Sequence, residues 1–298
     1  MTASSLVPDP GGLWPARPTA LPRLWQVLRI VILVWLGLLA FLALSQRSMM
    51  YFPSKNDPAA LAREASAQGF EPWTTPGGET IGYRSLPAPG DSRRPAAVLI
   101  THGNAGYAMH RADFATILRA AAPGRALSVY IVEYPGYGAR SGRPSQADFL
   151  AAADEALGQI PAGLPVILLG ESIGTGVASA TAAAHPDRIA GLLLLTPFDR
   201  LANVAQHHYP LLPVRWIMRD QYPSVEWLKK YRGPVAIILA AKDSVVPAKF
   251  GEKLYETYSG PKLLLIADQA DHNDLLHVLG QDVWREAVDF LLDRNSPT

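Results

Sequence analysis

Ser172, Asp243 and His272 are residue types that can do chemistry together, and each follows the end of an apolar run. A serine hydroxyl is a weak nucleophile. It reacts when a histidine takes its proton, a carboxylate orients that histidine and N–H donors hold the oxyanion. Ser172 stands in Gly170-Glu-Ser-Ile-Gly174, directly after Val166-Ile-Leu-Leu169 and before small, helix-compatible residues. Glycines two before and two after such a corner remove side chains that would clash where a strand turns sharply into a helix. A serine in an ordinary strand-to-helix turn matches the same pattern, so its partners must decide.

The partners follow in the order nucleophile, acid, base. The run Val235–Ala240 leads into Ala241-Lys-Asp-Ser-Val-Val-Pro247, which places Asp243 just past a strand end. The run Lys262–Ala267 leads into Asp268-Gln-Ala-Asp-His-Asn-Asp274, which does the same for His272. Parallel strands bring all three residues to one edge of a sheet, the carboxyl edge where such sheets bind ligands. An aspartate after a strand is often only a turn former or helix cap, and Asp271 adjoins the histidine. Adjacent side chains on a loop diverge, however, which favours Asp243. Of the other six histidines, His185 reads as a helix cap and His277 as surface, while His207 and His208 are candidate substrate contacts. The oxyanion donors are expected from the backbone of Ile173, next to the nucleophile, and of Asn104, in Thr101-His-Gly-Asn-Ala-Gly106 after the first central strand.

These residues need a scaffold, and the chain alternates to supply one. Strands are expected at Ala96–Thr101, Leu127–Glu133, Val166–Leu169, Gly191–Thr196, Val235–Ala240 and Lys262–Ala267. Helices are expected at Arg111–Ala122, Gln146–Ile160, Ile173–Ala184, Lys249–Tyr258 and Gln281–Leu292. Continuously apolar strands are buried on both faces, as in a parallel sheet, and alternation with helices makes three layers. A hairpin turned by Pro76-Gly-Gly78 precedes them. The segment Pro197–Pro234 breaks the rhythm and is short enough, at 38 residues, to be a small lid. Its Phe198, Tyr209, Leu211, Leu212, Trp216, Ile217 and Met218 are candidates for an acyl pocket or for packing the lid on the core.

The 298 residues carry 27 basic and 26 acidic side chains, so nothing points to nucleic acid or a polyanionic substrate. The absence of cysteine excludes a disulfide framework, a thiolate nucleophile and a Cys-ligated metal. Residues 1–23, rich in Pro, Gly, Ala and Ser, read as a disordered tail. Leu24–Leu44 then suits one membrane crossing, since roughly 20 apolar residues span the hydrocarbon. A cleaved signal peptide is the rival, because the uninterrupted core is Ile30–Leu44 and Ala43-Leu44-Ser45 resembles a weak cleavage site. The polar lead is long for a signal peptide, which favours a retained anchor. Arg17, Arg23 and Arg29 precede the apolar core, against Arg47 and Lys55 after it. That bias puts the N-terminus in the cytoplasm and the large domain outside. The resulting organisation is tail 1–23, anchor 24–45, connector 46–70 and catalytic domain 71–298 with its lid at 197–234.

His102-Gly-Asn-Ala-Gly106, Glu133-Tyr-Pro-Gly-Tyr-Gly138, Gly170-Glu-Ser-Ile-Gly174 and His272-Asn-Asp-Leu275 together resemble the ABHD-type serine hydrolases anchored by one N-terminal helix. The likeness runs from about Met49 to the C-terminus and includes Tyr51-Phe-Pro53 and Thr196-Pro-Phe198. It implies a three-layer α/β-hydrolase fold with a mostly parallel sheet, preceded by one transmembrane helix. It implies Ser172, Asp243 and His272 as triad and Asn104 and Ile173 as oxyanion donors, while the lid segment itself offers His207, His208, Tyr209, Trp216 and Met218 as candidate substrate contacts. Gln269-Ala-Asp271 departs from the glycine-rich approach of many relatives. The expected reaction is cleavage of a carboxylic ester or thioester, with a small-molecule or lipid-like acyl substrate, no metal and no organic cofactor. Acyl transfer or peptidase activity on the same triad is the alternative. A non-enzymatic membrane-tethered interaction module is the second alternative.

Overall fold

A computed structural model describes residues 20–293. The chain divides into two units, Met1–Leu44 and Ser45–Thr298. The tail expected over residues 1–23 lies outside the described residues up to position 19. Helix α1 runs Ala20–Met50. Within it, Leu24–Met50 is long and apolar enough to cross a membrane, with a mean hydropathy of 2.7. Side chains from Leu24 to Phe41 are largely exposed, which a helix in water would pay for and a helix in lipid would not.

The second unit is built on one eight-stranded sheet. Its strands are β1 (Glu71–Thr74), β2 (Thr80–Ser85), β3 (Arg94–Thr101), β4 (Arg125–Val132), β5 (Val166–Glu171), β6 (Ile189–Leu195), β7 (Val235–Ala240) and β8 (Lys262–Ala267). They lie in the order β8-β7-β6-β5-β3-β4-β2-β1. Every pairing from β8 to β4 is parallel. The expected hairpin β1–β2 joins antiparallel, and β2 pairs antiparallel with β4.

Successive residues of one strand point to opposite faces, and here both faces are apolar. Ala97 and Leu99 of β3 join one core cluster, and Ala96, Val98 and Ile100 join the other. Val166 and Leu168 of β5 divide from Ile167 and Leu169 in the same way. Helices cover each face. On one side lie α4 (Gln146–Gln159) and α5 (Ile173–Ala184), and on the other α3 (Asp113–Ala121) and α11 (Gln281–Asp293). This is the three-layer arrangement expected.

The segment expected as connector is packed into the domain. Helix α2 spans Pro58–Ala67 and is capped by Asp57, whose carboxylate accepts the N–H groups of Ala59 and Ala60. Tyr51 is buried in the core, and Phe52–Pro53 pairs in parallel with Ala105–Gly106 of the loop after β3. The segment expected as a lid holds α6 (Leu201–His208), α7 (Val214–Ile217) and α8 (Ser224–Trp227). The remaining helices are α9 (Lys249–Thr257) and α10 (Leu275–Val278).

Candidate active site

The elbow is dictated by close backbone packing. A side chain on Gly174 would place its first carbon 1.9 Å from the Thr101 carbonyl oxygen. One on Gly170 would meet the Cα of Thr175 at 2.6 Å. Only glycine lets β5 turn at once into α5 between its neighbours. Ser172 takes the strain, with φ 51° and ψ −118°. Such a conformation costs a non-glycine residue on the order of 1–3 kcal/mol. Its N–H continues the sheet ladder to Leu195 O at 3.0 Å, while its carbonyl accepts the Thr175 N–H at 2.9 Å. The corner is therefore held from both sides.

Ser172 Oγ lies 3.0 Å from His272 Nε2. His272 Nδ1 lies 2.8 Å from Asp243 Oδ2. The Asp243 side chain is 1% exposed, and its other oxygen accepts the N–H groups of Val245 at 2.9 Å and Val246 at 2.6 Å. An aspartate bonding the backbone two residues on is the ordinary Asx turn. Here it aims the second carboxylate oxygen at the imidazole. The Asp243 and His272 loops lie side by side, with Ala241 N–H on Ala267 O and Lys242 N–H on Ala270 O, both at 3.0 Å. The neighbouring carboxylate, Asp271, bonds the Ser244 N–H at 2.8 Å and the His272 N–H at 2.7 Å. Those backbone donors, Ser244 first, hold its carboxyl below the usual carboxylate range.

The loop after β3 flanks the elbow because Thr101 pairs with Gly170 across the sheet. Ile173 opens α5, so its N–H has no acceptor within the helix. Asn104 is fixed by its side chain: Nδ2 donates to Met50 O, and the Tyr137 hydroxyl lies 2.7 Å from the Asn104 carbonyl oxygen and 3.1 Å from its Oδ1.

A cavity of about 540 Å³ opens over Ser172 and His272, and Asn104 and Ile173 also line it. Its apolar walls include Met50, Phe52, Leu201, Val204, Tyr209 and Met218. Of the five expected substrate contacts, His208, Tyr209 and Met218 line it. His208 also holds Val245 O through Nε2 at 2.8 Å. His207 sits beside Lys249 at 3.2 Å, outside the lining, and Trp216 is 90% exposed. Phe198, a candidate for the acyl pocket, is buried in the core instead.

The structure adds an ion pair that sequence reasoning missed. Arg111 grips Glu171 with Nε at 2.7 Å and Nη2 at 2.9 Å, and its Nη1 bonds Ala105 O at 3.0 Å. Burial pushes the Glu171 carboxyl up, but the Arg111 charge and hydrogen bonds outweigh it and leave it below the usual value. Glu171 had a signal, because it precedes the nucleophile directly. Arg111 had none, since a charged residue at a helix start is ordinarily solvated.

A family model described as "Serine aminopeptidase, S33" matches residues 92–229. The uncharacterized protein Rv2307c of Mycobacterium tuberculosis is 36% identical over 259 residues, which cover 85% of this chain and 89% of that one. The chain belongs to the α/β-hydrolase family. Alpha/beta hydrolase domain-containing protein 17B of Xenopus tropicalis is 31% identical over 174 residues, or 54% of this α/β-hydrolase and 58% of the relative. The monoacylglycerol lipase of Paleococcus ferrophilus superposes with a TM-score of 0.54 at 18% identity, covering 72% of this chain and 99% of that one. At that identity the likeness shows the α/β-hydrolase fold, with a long apolar helix ahead of it in the present chain.

Proposed function

We propose that this α/β-hydrolase is a membrane-anchored serine hydrolase that cleaves carboxylic esters or thioesters through an acyl-enzyme on Ser172. The observation that carries the reading is the unbroken chain from Ser172 Oγ to His272 to Asp243, at 3.0 and 2.8 Å, on a strained elbow facing an apolar cavity. His272 Nε2 accepts the Ser172 proton as Oγ attacks the carbonyl carbon. Asp243 keeps the imidazole in the right tautomer and stabilises the imidazolium. The N–H groups of Ile173 and Asn104 receive the oxyanion. His272 then returns the proton to the leaving alcohol or thiol, and a water molecule repeats the sequence to release the acid. Transfer to an alcohol or amine would use the same acyl-enzyme, and product analysis with an added acceptor separates the two.

The apolar walls support a hydrocarbon acyl chain. The description of the matching family model names an aminopeptidase, which must hold a free ammonium group. Glu171 is the one carboxylate among the described residues lining the cavity, and Arg111 already occupies both its oxygens. An ester fits this lining better.

A fluorophosphonate probe tests the reading. Full-length protein should label, and Ser172→Ala should not. Folded protein that fails to label would leave the hydrolase fold as a non-enzymatic module. A panel of esters of increasing chain length then defines the acyl group.

A further inference from the structure

Residues 209–219 of the lid carry an unusual surface. Leu211 is 88% and Trp216 90% exposed, with Tyr209 at 56% between the α6 end and this loop. Arg215 and Arg219 are exposed beside them. Elsewhere the lid behaves as a soluble domain should, with Ala202, Val204 and Val214 turned inward. Single exposed apolar residues are ordinary. Three large ones within eight residues, with Arg215 among them and Arg219 just beyond, are a surface that gains by leaving water.

The place of this segment is set by three residues that follow the apolar run. Gln46 Nε2 donates to Ile217 O at 3.2 Å, and Gln46 Oε1 accepts the Arg219 N–H at 2.6 Å. Arg47 grips Asp220 with Nε at 2.8 Å and Nη2 at 3.0 Å. Tyr51 donates to the same carboxylate at 3.0 Å. Gln46 comes two residues after Leu44, the last apolar residue of the run, a helical rise of about 3 Å. If Leu24–Leu44 crosses the hydrocarbon, Gln46 must lie at its boundary. Whatever Gln46 hydrogen-bonds lies at that boundary too.

We infer that Tyr209–Arg219 is an interfacial membrane-binding surface, with Leu211 and Trp216 entering the lipid and Arg215 and Arg219 meeting phosphate headgroups. Tryptophan is enriched at that depth because one end of its ring is apolar and the other wet. Arginine beside it is drawn to anionic lipid. Tyr209 and Met218, at either end of the segment, also line the cavity over Ser172. The mouth therefore opens at headgroup level, and an acyl substrate can enter from the bilayer. The inference rests on the anchor reading above, and its test separates the two.

The chain has no cysteine, so Leu211→Cys supplies a single labelling site. Gly163→Cys serves as the control. It precedes β5 at the opposite sheet edge, and a side chain there meets nothing within 4 Å. Full-length protein carrying a polarity-sensitive fluorophore is reconstituted in phosphatidylcholine and phosphatidylglycerol vesicles, with and without brominated acyl chains. The label at 211 should shift to the blue and lose most of its emission to the brominated lipid, and the label at 163 should do neither. Protein that co-floats with vesicles while the 211 label stays aqueous would overturn the inference and leave the anchor standing. A blue shift without quenching would mean that a second copy of the chain covers the patch, and would overturn it as well. Protein that fails to co-float would overturn the anchor and the inference together.

Discussion

The carboxylate of Asp271 is bound to Ser244, accepting its backbone N–H at 2.8 Å and its hydroxyl at 2.9 Å. It thus ties the Asp243 loop to the His272 loop, and the ring of His272 is left to Asp243. Asp243→Asn should favour the wrong imidazole tautomer, at a cost of roughly 10⁴ in kcat by analogy with a serine protease. Asp271→Asn keeps an oxygen for the same N–H groups and should cost less than about tenfold, well short of a lost triad member. Measuring kcat for both on one short-chain ester, with circular dichroism for folding, decides. Equal losses or the reverse order would move the acid to Asp271.

Ser172→Ala removes only a hydroxyl from a corner held by backbone bonds, so the fold should survive. The loss in kcat should approach the 10⁶ typical of a missing triad nucleophile, on the order of the whole machinery. Residual turnover above a small fraction, in protein free of contaminating esterases, would sink the assignment.

Gly174→Ala tests the joint between the elbow and the loop after β3. Its new methyl would sit 1.9 Å from Thr101 O and 2.7 Å from His102 O, both backbone atoms. Overpacking of this kind costs about 1–3 kcal/mol or more. Thermal unfolding should register that loss, and ester turnover should fall by a larger factor than stability alone explains. An unchanged melting temperature would contradict the packing described.

The Arg111–Glu171 pair predicts a pH dependence. The folded carboxyl lies below its unfolded value, so its stabilisation is present above about pH 4.3, the ordinary glutamate value, and is lost as pH falls through the folded value. Glu171→Gln would leave Arg111 without its counter-charge. The pair is 14% and 26% exposed, so the cost at neutral pH should be about 2 kcal/mol, below the roughly 3–5 of a fully buried pair. Urea titrations across pH should show the two proteins converging on the acid side. Parallel curves would refute the coupling.

Truncation should divide sharply at the helix end. Removing residues 1–44 leaves Gln46, Arg47 and Tyr51 to hold the lid, and should yield soluble, active enzyme. Removing residues 1–51 also deletes Tyr51 from the core, a loss comparable to the roughly 3–5 kcal/mol of deleting a large buried aromatic. Soluble yield and melting temperature check both. Equal behaviour would mean that residues 45–51 contribute nothing to the domain.

The central sheet was legible because its runs are apolar along most of their length. Val235–Ala240, Lys262–Ala267 and Ile173–Ala184 have the expected bounds. Local pattern fails where structure depends on distant partners. The helix expected from Arg111 begins at Asp113, after a 3-10 turn over Ala108–Arg111. The pairing of Phe52–Pro53 with Ala105–Gly106 is too short to leave a pattern. Arg47 and Asp220 are 173 residues apart, and nothing near either announces the other. The positions of Ser172, Asp243 and His272 at strand ends were readable because order and spacing are one-dimensional. The cavity walls were not, because Met50, Phe52 and Leu201 meet there only after the chain has folded.

The contact of Gly174 with Thr101 sets main chain directly on main chain beneath the elbow that carries Ser172. Side-chain changes elsewhere leave such a joint in place. A new substrate preference must be written in the walls, which come from segments far apart in the chain: Met50 and Phe52, Leu201 to Tyr209, and Met218. Those walls can drift independently while the joint under the elbow holds still. The architecture therefore lets selection or an engineer alter the cavity walls without disturbing the elbow.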